Sequence, residues 1–425
     1  MRALRVFVCA LTALAASVAA RAQDNVPAPG TPTYAKEVSR IMQAKCADCH
    51  HPNGIGPFSL LTYRQTKGWA EMIKEVVSDR RMPPWHADPS VGKYKNDRRL
   101  TDEEIQTIVK WADGGKPMGN ETDLPAPIKY SEDWRITGPD MVFELPQEQS
   151  IEPSGVVPYR EIEIPTNFTE DKWLQAIEAR ASNPKVVHHI IVFVRSPEMQ
   201  SGERQDFQRL GRGFLVGFAP GVIPTVLPEG HAVKVPKGSS LIFQMHYTPT
   251  GKHEVDRSQL GINFAKQPPA REVITATTIN GDFTIPAGDP NYRVVADNTL
   301  PDNAILYSMT PHMHYRGKSY EYIAHYPDGK SETLLRVPNY DFNWQTSYIL
   351  ETPARLPKGT RIETIAHFDN SAANKANPDP TKPVRWGEQT WEEMMIGWMN
   401  MSWETPSNQT ASAGVGSGTL GAGAR

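Results

Sequence analysis

The hydrophobic period of this chain changes once, and that change divides it. Up to about residue 116 the apolar residues recur at helical spacing. Tyr34, Val38, Ile41 and Met42 fall on one face at i, i+4, i+7 and i+8, and Trp69, Ile73, Val76 and Val77 form another such face. Thr101 and Glu104 make a capping box before an apolar stripe of Ile105, Ile108, Val109 and Ala112, which Gly114-Gly115 ends. Residues 117–140, rich in Pro and Gly, follow as a linker, and beyond them the period is two. Ile162 and Ile164 alternate with Glu161 and Glu163, while Val186–Val194, Leu241–His246 and Ile305–Met309 are β-rich runs bounded by Gly, Pro and Asn. The expected fold class is multidomain: a small all-α domain at 34–116, then two antiparallel β-sandwiches. Gln267-Pro268-Pro269 divides the β-rich part into 141–268 and 269–404. The 37 prolines of 425 residues suit short strands joined by turns. Residues 405–425, rich in Ser, Gly, Ala and Thr, read as a disordered tail.

The N-terminus carries an address. Arg2 and Arg5 precede an apolar stretch from Val6 to Ala20, and Ala20-Arg21-Ala22 is a small-x-small cleavage site. Residues 1–22 therefore read as a signal peptide cut after Ala22, and the expected location is periplasmic or secreted. The stretch is shorter than the ~20 apolar residues a mature span needs, and no later segment is apolar enough to cross a membrane. A net charge of −3 gives no reason to expect nucleic acid as partner. Of the three cysteines, Cys9 leaves with the signal peptide and only Cys46 and Cys49 remain. That excludes a disulfide scaffold and an all-cysteine zinc site.

Those two thiols stand in Cys46-Ala-Asp-Cys49-His50. On one helical turn, i and i+3 share a face, so both thiols can bond to one porphyrin edge. His50 can bring a ring nitrogen to the iron, and the motif reads as covalent haem c attachment. Met82, in Arg81-Met82-Pro83-Pro84-Trp85, is the candidate second axial ligand, with the prolines holding it on a stiff, extended loop. His86 and Met72 compete for that role. The segment 34–116 resembles a class I cytochrome c, whose chemistry is one-electron transfer.

The remaining histidines cluster by motif. His188-His189 lie in a β-rich run, His246 in Gln244-Met-His-Tyr247, and His312-Met-His314 ahead of Tyr315-Arg-Gly-Lys318. On a strand, His312 and His314 share a face and can reach one ion. Met394, in Thr390-Trp-Glu-Glu-Met-Met395, offers the soft third ligand that Cu(I) favours, with Met395 as fallback. Adjacent His188 and His189 point to opposite faces of a regular strand. They can share one ion, with His246, only if the strand ends or bulges there. This ordered series, with His367-Phe-Asp-Asn-Ser371 and Asn377-Pro-Asp-Pro380, resembles the copper type II, ascorbate-dependent monooxygenases across about 150–405.

The resemblance implies two consecutive jelly-roll sandwiches and two copper ions. One ion transfers electrons at His188, His189 and His246. The other binds oxygen at His312, His314 and Met394, which are then the catalytic residues. The two are unbridged across a solvent-filled cleft, and His367 is a candidate supporting group near Met394. It implies hydroxylation of a C–H bond of a small organic substrate with O2, using electrons from a periplasmic donor through the fused haem. Two departures stand out. The family's sandwiches are pinned by disulfides, whereas 117–425 holds no cysteine, and the family's His-Thr-His is His-Met-His here. The alternative function is a non-catalytic electron-transfer or copper-binding protein. The substrate, the electron donor and the oligomeric state are not legible in the sequence.

Overall fold

The computed structural model describes residues 30–52, 54–130, 134–198, 213–219 and 222–404. The expected signal peptide and the expected disordered tail lie outside the described residues. Few helices lie near the N-terminus, and a mostly β region follows. Two compact units divide the chain. Among the described residues, one holds those from 30 to 85 and from 98 to 130, and the other those from 86 to 97 and from 134 to 404.

In the helical unit, α1 runs through the contiguous pieces Tyr34–Val38, Ser39–Ile41 and Met42–Cys46, the outer two wound as π-helix. Helices α2 (Tyr63–Gly68), α3 (Ala70–Ser78) and α4 (Asp102–Asp113) follow. The capping box forms as the sequence requires. Thr101 Oγ1 accepts from the Glu104 N–H at 3.1 Å, and Glu104 Oε2 accepts from the Thr101 N–H at 2.8 Å. Tyr34, Val38, Ile41, Met42, Ile73, Val77, Ile105, Ile108 and Ala112 enter one core around buried Trp111. Trp69 departs from its expected buried face. It is 38% exposed and stacks on Phe58 at 4.2 Å, because the helix breaks at Trp69 itself.

The first half of the β-rich unit comprises β1 (Met141–Glu144), β2 (Arg160–Pro165), β3 (Lys172–Arg180), β4 (Val187–Arg195), β5 (Phe214–Phe218), β6 (His231–Val235), β7 (Ser240–Tyr247), β8 (Gln259–Phe264) and β9 (Arg271–Glu272). One sheet has the order β1-β8-β3-β6-β9, with the short strand Thr225–Val226 also on β3. The other has the order β2-β7-β4-β5. Residues of both sheets fill one core, including Leu174, Ile177, Ile190, Val192, Phe243 and Leu260.

The second half comprises β10 (Ile274–Ile279), β11 (Tyr292–Thr299), β12 (Ala304–His312), β13 (Gly317–His325), β14 (Ser331–Val337), β15 (Tyr348–Leu356), β16 (Arg361–Phe368) and β17 (Ile396–Trp403). Its sheets run β10-β17-β12-β15 and β11-β16-β13-β14. They face one another. Tyr322 Oη donates to the Trp398 carbonyl at 3.2 Å, and Thr364 Oγ1 donates to Thr278 Oγ1 at 2.8 Å. The chain passes from half to half between β9, which still pairs with β6, and β10, slightly beyond the expected break.

An apolar cluster joins the halves. Phe193 and Ile242 from the first pack with Met394, Ile396 and Trp398 from the second.

The sequence assigned 86–97 to the helical domain, but the structure places it in the β-rich unit. Tyr94 bridges Leu350, the Lys95 N–H donates to the Ile349 carbonyl at 2.8 Å, and the Glu351 N–H donates to the Lys93 carbonyl at 2.9 Å. Tyr94, 6% exposed, packs on Tyr348 and donates its hydroxyl to the Leu334 carbonyl at 2.9 Å. The segment adds backbone to the free edge of β15, and an unpaired edge favours such addition. The expected linker is also shorter than its sequence. Pro117 and Met118 accept from Tyr34 and Ala35, while the Arg135 and Ile136 N–H groups bond the buried Glu178 carboxylate of β3.

Candidate haem and metal centres

In the helical unit, the helix end carries Cys46, and the Cys49 and His50 N–H groups both donate to the Cys46 carbonyl, at 3.2 and 3.0 Å. Neither thiol is in a disulfide, and burial pushes the Cys46 thiol up to about 12. A reactive redox dithiol needs the opposite shift, so thioether attachment suits this pair better. His50 Nδ1 lies 3.0 Å from the Phe58 carbonyl. Donation there leaves Nε2 with its lone pair, the state an axial ligand requires. Gly54 and Gly56 keep the loop close. A Cβ on Gly56 would stand 2.6 Å from His50 Nδ1, and one on Gly54 2.4 Å from the Cys49 carbonyl. These residues fit a covalently held haem.

Met82 lies in the turn after α3, its N–H on the Val76 carbonyl at 3.1 Å, ahead of a cis bond to Pro83. Of its competitors, Met72 is 49% exposed on α3, and His86 belongs to the β-rich unit.

In the β-rich unit, the difficulty of the adjacent histidines resolves through a bulge. Val187 pairs with Tyr247 but His189 pairs with His246, so His188 is one extra residue in β4. The bulge turns both rings to one side, where His188, His189 and His246 form a metal-competent group. His189 Nδ1 lies 3.4 Å from His188 Nδ1 and 3.3 Å from His246 Nδ1. A ring nitrogen holds one proton or one lone pair, so His189 Nδ1 can satisfy only one of these contacts. Three nitrogens at ~2.0 Å from a single ion would stand roughly 3.3–3.5 Å apart, which matches. Burial drives His246 down to about 3 and holds His189 well below the ordinary histidine range, with the neighbouring rings adding to it. The rings are therefore neutral and ready to ligate at pH 7.

The second set forms where β12 ends. His312 pairs with Ile396 of β17, so His314, two residues on, comes level with Met394. His312 Nδ1 is 2.6 Å from Gln345 Oε1, and Gln345 Nε2 donates to the Phe342 carbonyl, which fixes the amide's orientation. His314 Nδ1 is 3.3 Å from the Glu392 carbonyl. Both rings thus donate from Nδ1 and present Nε2. Burial lowers His312 to about 4 and His314 well below its usual range. A small cavity of about 30 Å³ is lined by His189, His312, His314 and Met394, together with Tyr159 and Glu388. Met395 does not line this cavity. Two nitrogens and one thioether suit Cu(I) better than zinc.

Sequence reasoning missed the groups that hold this set. Glu393, fully buried, accepts the N–H groups of His314 at 2.9 Å and Arg316 at 2.6 Å, and so ties the His-Met-His turn to the ligand beside it. Burial raises its carboxyl to about 8 despite those bonds. Arg316 donates to Asn370 Oδ1 at 2.8 Å and to the Trp391 carbonyl at 2.9 Å. The usable signal was Glu393 next to Met394, and Asn370 within the quoted Asp-Asn-Ser stretch. His367 does not take the expected place. It bonds Ser319 at 3.1 Å, as a strand residue at the opposite sheet's surface.

Aromatic rings pack against the ligands directly. Tyr159 packs on His246 with centroids 4.8 Å apart, and Phe342 lies 5.0 Å from the His188 ring and 6.0 Å from that of His314.

With the geometry in place, comparison adds one firm point. The cytochrome c family model matches residues 35–113. The match identifies a cytochrome c domain at residues 35–113, although by contact its 86–97 segment belongs to the β-rich unit. That domain implies a covalently bound haem c and electron transfer through it. No curated protein matches the chain. Among solved structures, the major capsid protein P2 of bacteriophage PM2 aligns at 12% identity over 62% of this chain and 98% of its own, with a TM-score of 0.28. The VP2 subviral particle of infectious bursal disease virus aligns at 8% identity over 64% and 82%, with a TM-score of 0.18. Scores this low say nothing of fold or function. No helix among the described residues is long and apolar enough to cross a membrane.

Proposed function

We propose that the β-rich unit is a copper-dependent monooxygenase built of two jelly-roll sandwiches, exported to the periplasm and supplied with electrons by the cytochrome c domain. The observation that carries this reading is one small cavity shared by His189, a member of the group of three imidazoles, and by His312, His314 and Met394. Two ions at these sets would supply one-electron redox chemistry and O2 activation. The reaction would be RH + O2 + 2e⁻ + 2H⁺ → ROH + H2O. A simple copper carrier needs one set, so the presence of two favours the enzyme.

The chain's own residues do the positioning. Gln345 and the Glu392 carbonyl fix the two imidazoles, Glu393 fixes the turn that bears them, and Tyr159 and Phe342 limit water at the ligands. Neutral histidines spare the site the cost of deprotonation on metal binding.

The test is metal analysis with electron paramagnetic resonance, followed by oxygen uptake with labelled O2. Two coppers and one haem per chain, with label in a hydroxylated product, are expected. Copper-loaded, reduced protein that consumes O2 at the same rate whatever the organic compound would leave only an electron carrier.

A further inference from the structure

We infer that a second, larger cavity of the β-rich unit binds a compact apolar molecule that is neutral or anionic, and rejects organic cations. This deepens the reading above and names its substrate class. The cavity has a volume of about 580 Å³ and touches both His189 and His312, so a molecule held in it abuts both ligand sets. That size suits a single substituted ring or a short branched chain with room to spare. Phe214, Phe218, Leu350, Trp398 and Met399 form its apolar walls.

Its charges all have one sign. Lys95 and Arg135, both exposed, line it, and no Asp or Glu does among the described residues. The polar groups next to His312 are already committed. Thr310 Oγ1 donates to Ser347 Oγ at 2.8 Å, and both ends of the Gln345 amide are bonded. Glu388 lines the small cavity with Tyr159, not this one. An ammonium group entering here would leave water without a counter-charge, which is costly, and would meet two cations. A carboxylate would meet Lys95 at the mouth. Lys95 arrives on the segment that sequence reading gave to the cytochrome, so that segment helps to choose the ligand.

The experiment is isothermal titration of the full-length, haem-loaded, copper-free protein with three probes of one shape: 4-ethylbenzoate, 4-ethylbenzyl alcohol and 4-ethylbenzylamine. The acid and the alcohol are expected to bind at least tenfold more tightly than the amine. Lys95→Glu, at an exposed position, should weaken the acid about fivefold and bring the amine up. Val222→Trp, on the cavity's loop wall, should weaken acid and alcohol together by tenfold or more. The inference is overturned if the amine binds as well as the acid, if Lys95→Glu leaves their ratio unchanged, or if Val222→Trp leaves all affinities unchanged. No turnover is involved. Selective binding without hydroxylation would overturn only the enzymatic reading.

Discussion

Tyr94 offers the sharpest test of how this chain is partitioned. By sequence it lies inside the cytochrome segment; by contact it is part of the β-rich unit. Its ring is 6% exposed, with a centroid 5.5 Å from Tyr348, and its hydroxyl meets the Leu334 carbonyl at 2.9 Å. Tyr94→Phe removes one neutral hydrogen bond, worth about 1 kcal/mol. Tyr94→Ala also removes a buried ring, and such truncations cost about 3–5 kcal/mol. For a unit of this size each kcal/mol moves the midpoint by about 2 °C, so shifts of about 2 °C and about 6–10 °C are expected. Unfolding should be followed by far-ultraviolet circular dichroism of the strands and, separately, by the haem Soret band. Both shifts should appear in the strand signal and leave the Soret transition in place. A shift confined to the Soret band, or a Tyr94→Ala loss below 1 kcal/mol in the strand signal, would refute the assignment of 86–97 to the β fold.

Three further outcomes follow. His314→Ala should abolish turnover and leave the haem spectrum intact, as absorbance and oxygen uptake on one sample will show. Met394→Leu should lower Cu(I) affinity at least tenfold by competition with a colorimetric chelator, while Met395→Leu, whose thioether does not line the small cavity, should not. Copper-free protein should lose stability in acid. His312 and His246 titrate at about 4 and about 3 when folded, against an ordinary value near 6.5, so the unfolded chain takes up their protons first. Their contribution is full above about pH 6.5 and is lost as pH falls toward those values. At His312 alone it is roughly 3 kcal/mol, and a melting temperature flat from pH 7 to pH 4 would contradict it.

Much of the architecture was legible because it rests on period. The helical faces of Tyr34–Met42 and Ile105–Ala112 bury as spaced, and the alternation of Ile162 and Ile164 survives in β2. The cysteine motif is local and needs no tertiary context. What sequence could not show is what depends on non-local pairing. Residues 86–97 carry no period of their own, so only the free edge of β15 tells where they go. Gln345 and Phe342 lie far in sequence from the histidines they adjoin, and nothing in their own surroundings marks them. The meeting of Phe193, Ile242 and Trp398 across two halves is likewise a non-local property.

The extra residue at His188 has a consequence for how such a centre can arise or vanish. On either side of it β4 and β7 keep a regular ladder. Deleting His188 would therefore leave every other pair in register and make the sheet more regular. The ligand set, by contrast, would fall from three imidazoles to two. A single codon thus separates a plain structural sheet from a metal-ready one, with no rearrangement of the core between them. Because the irregular ladder is the less stable one, drift without use of the centre should favour its loss.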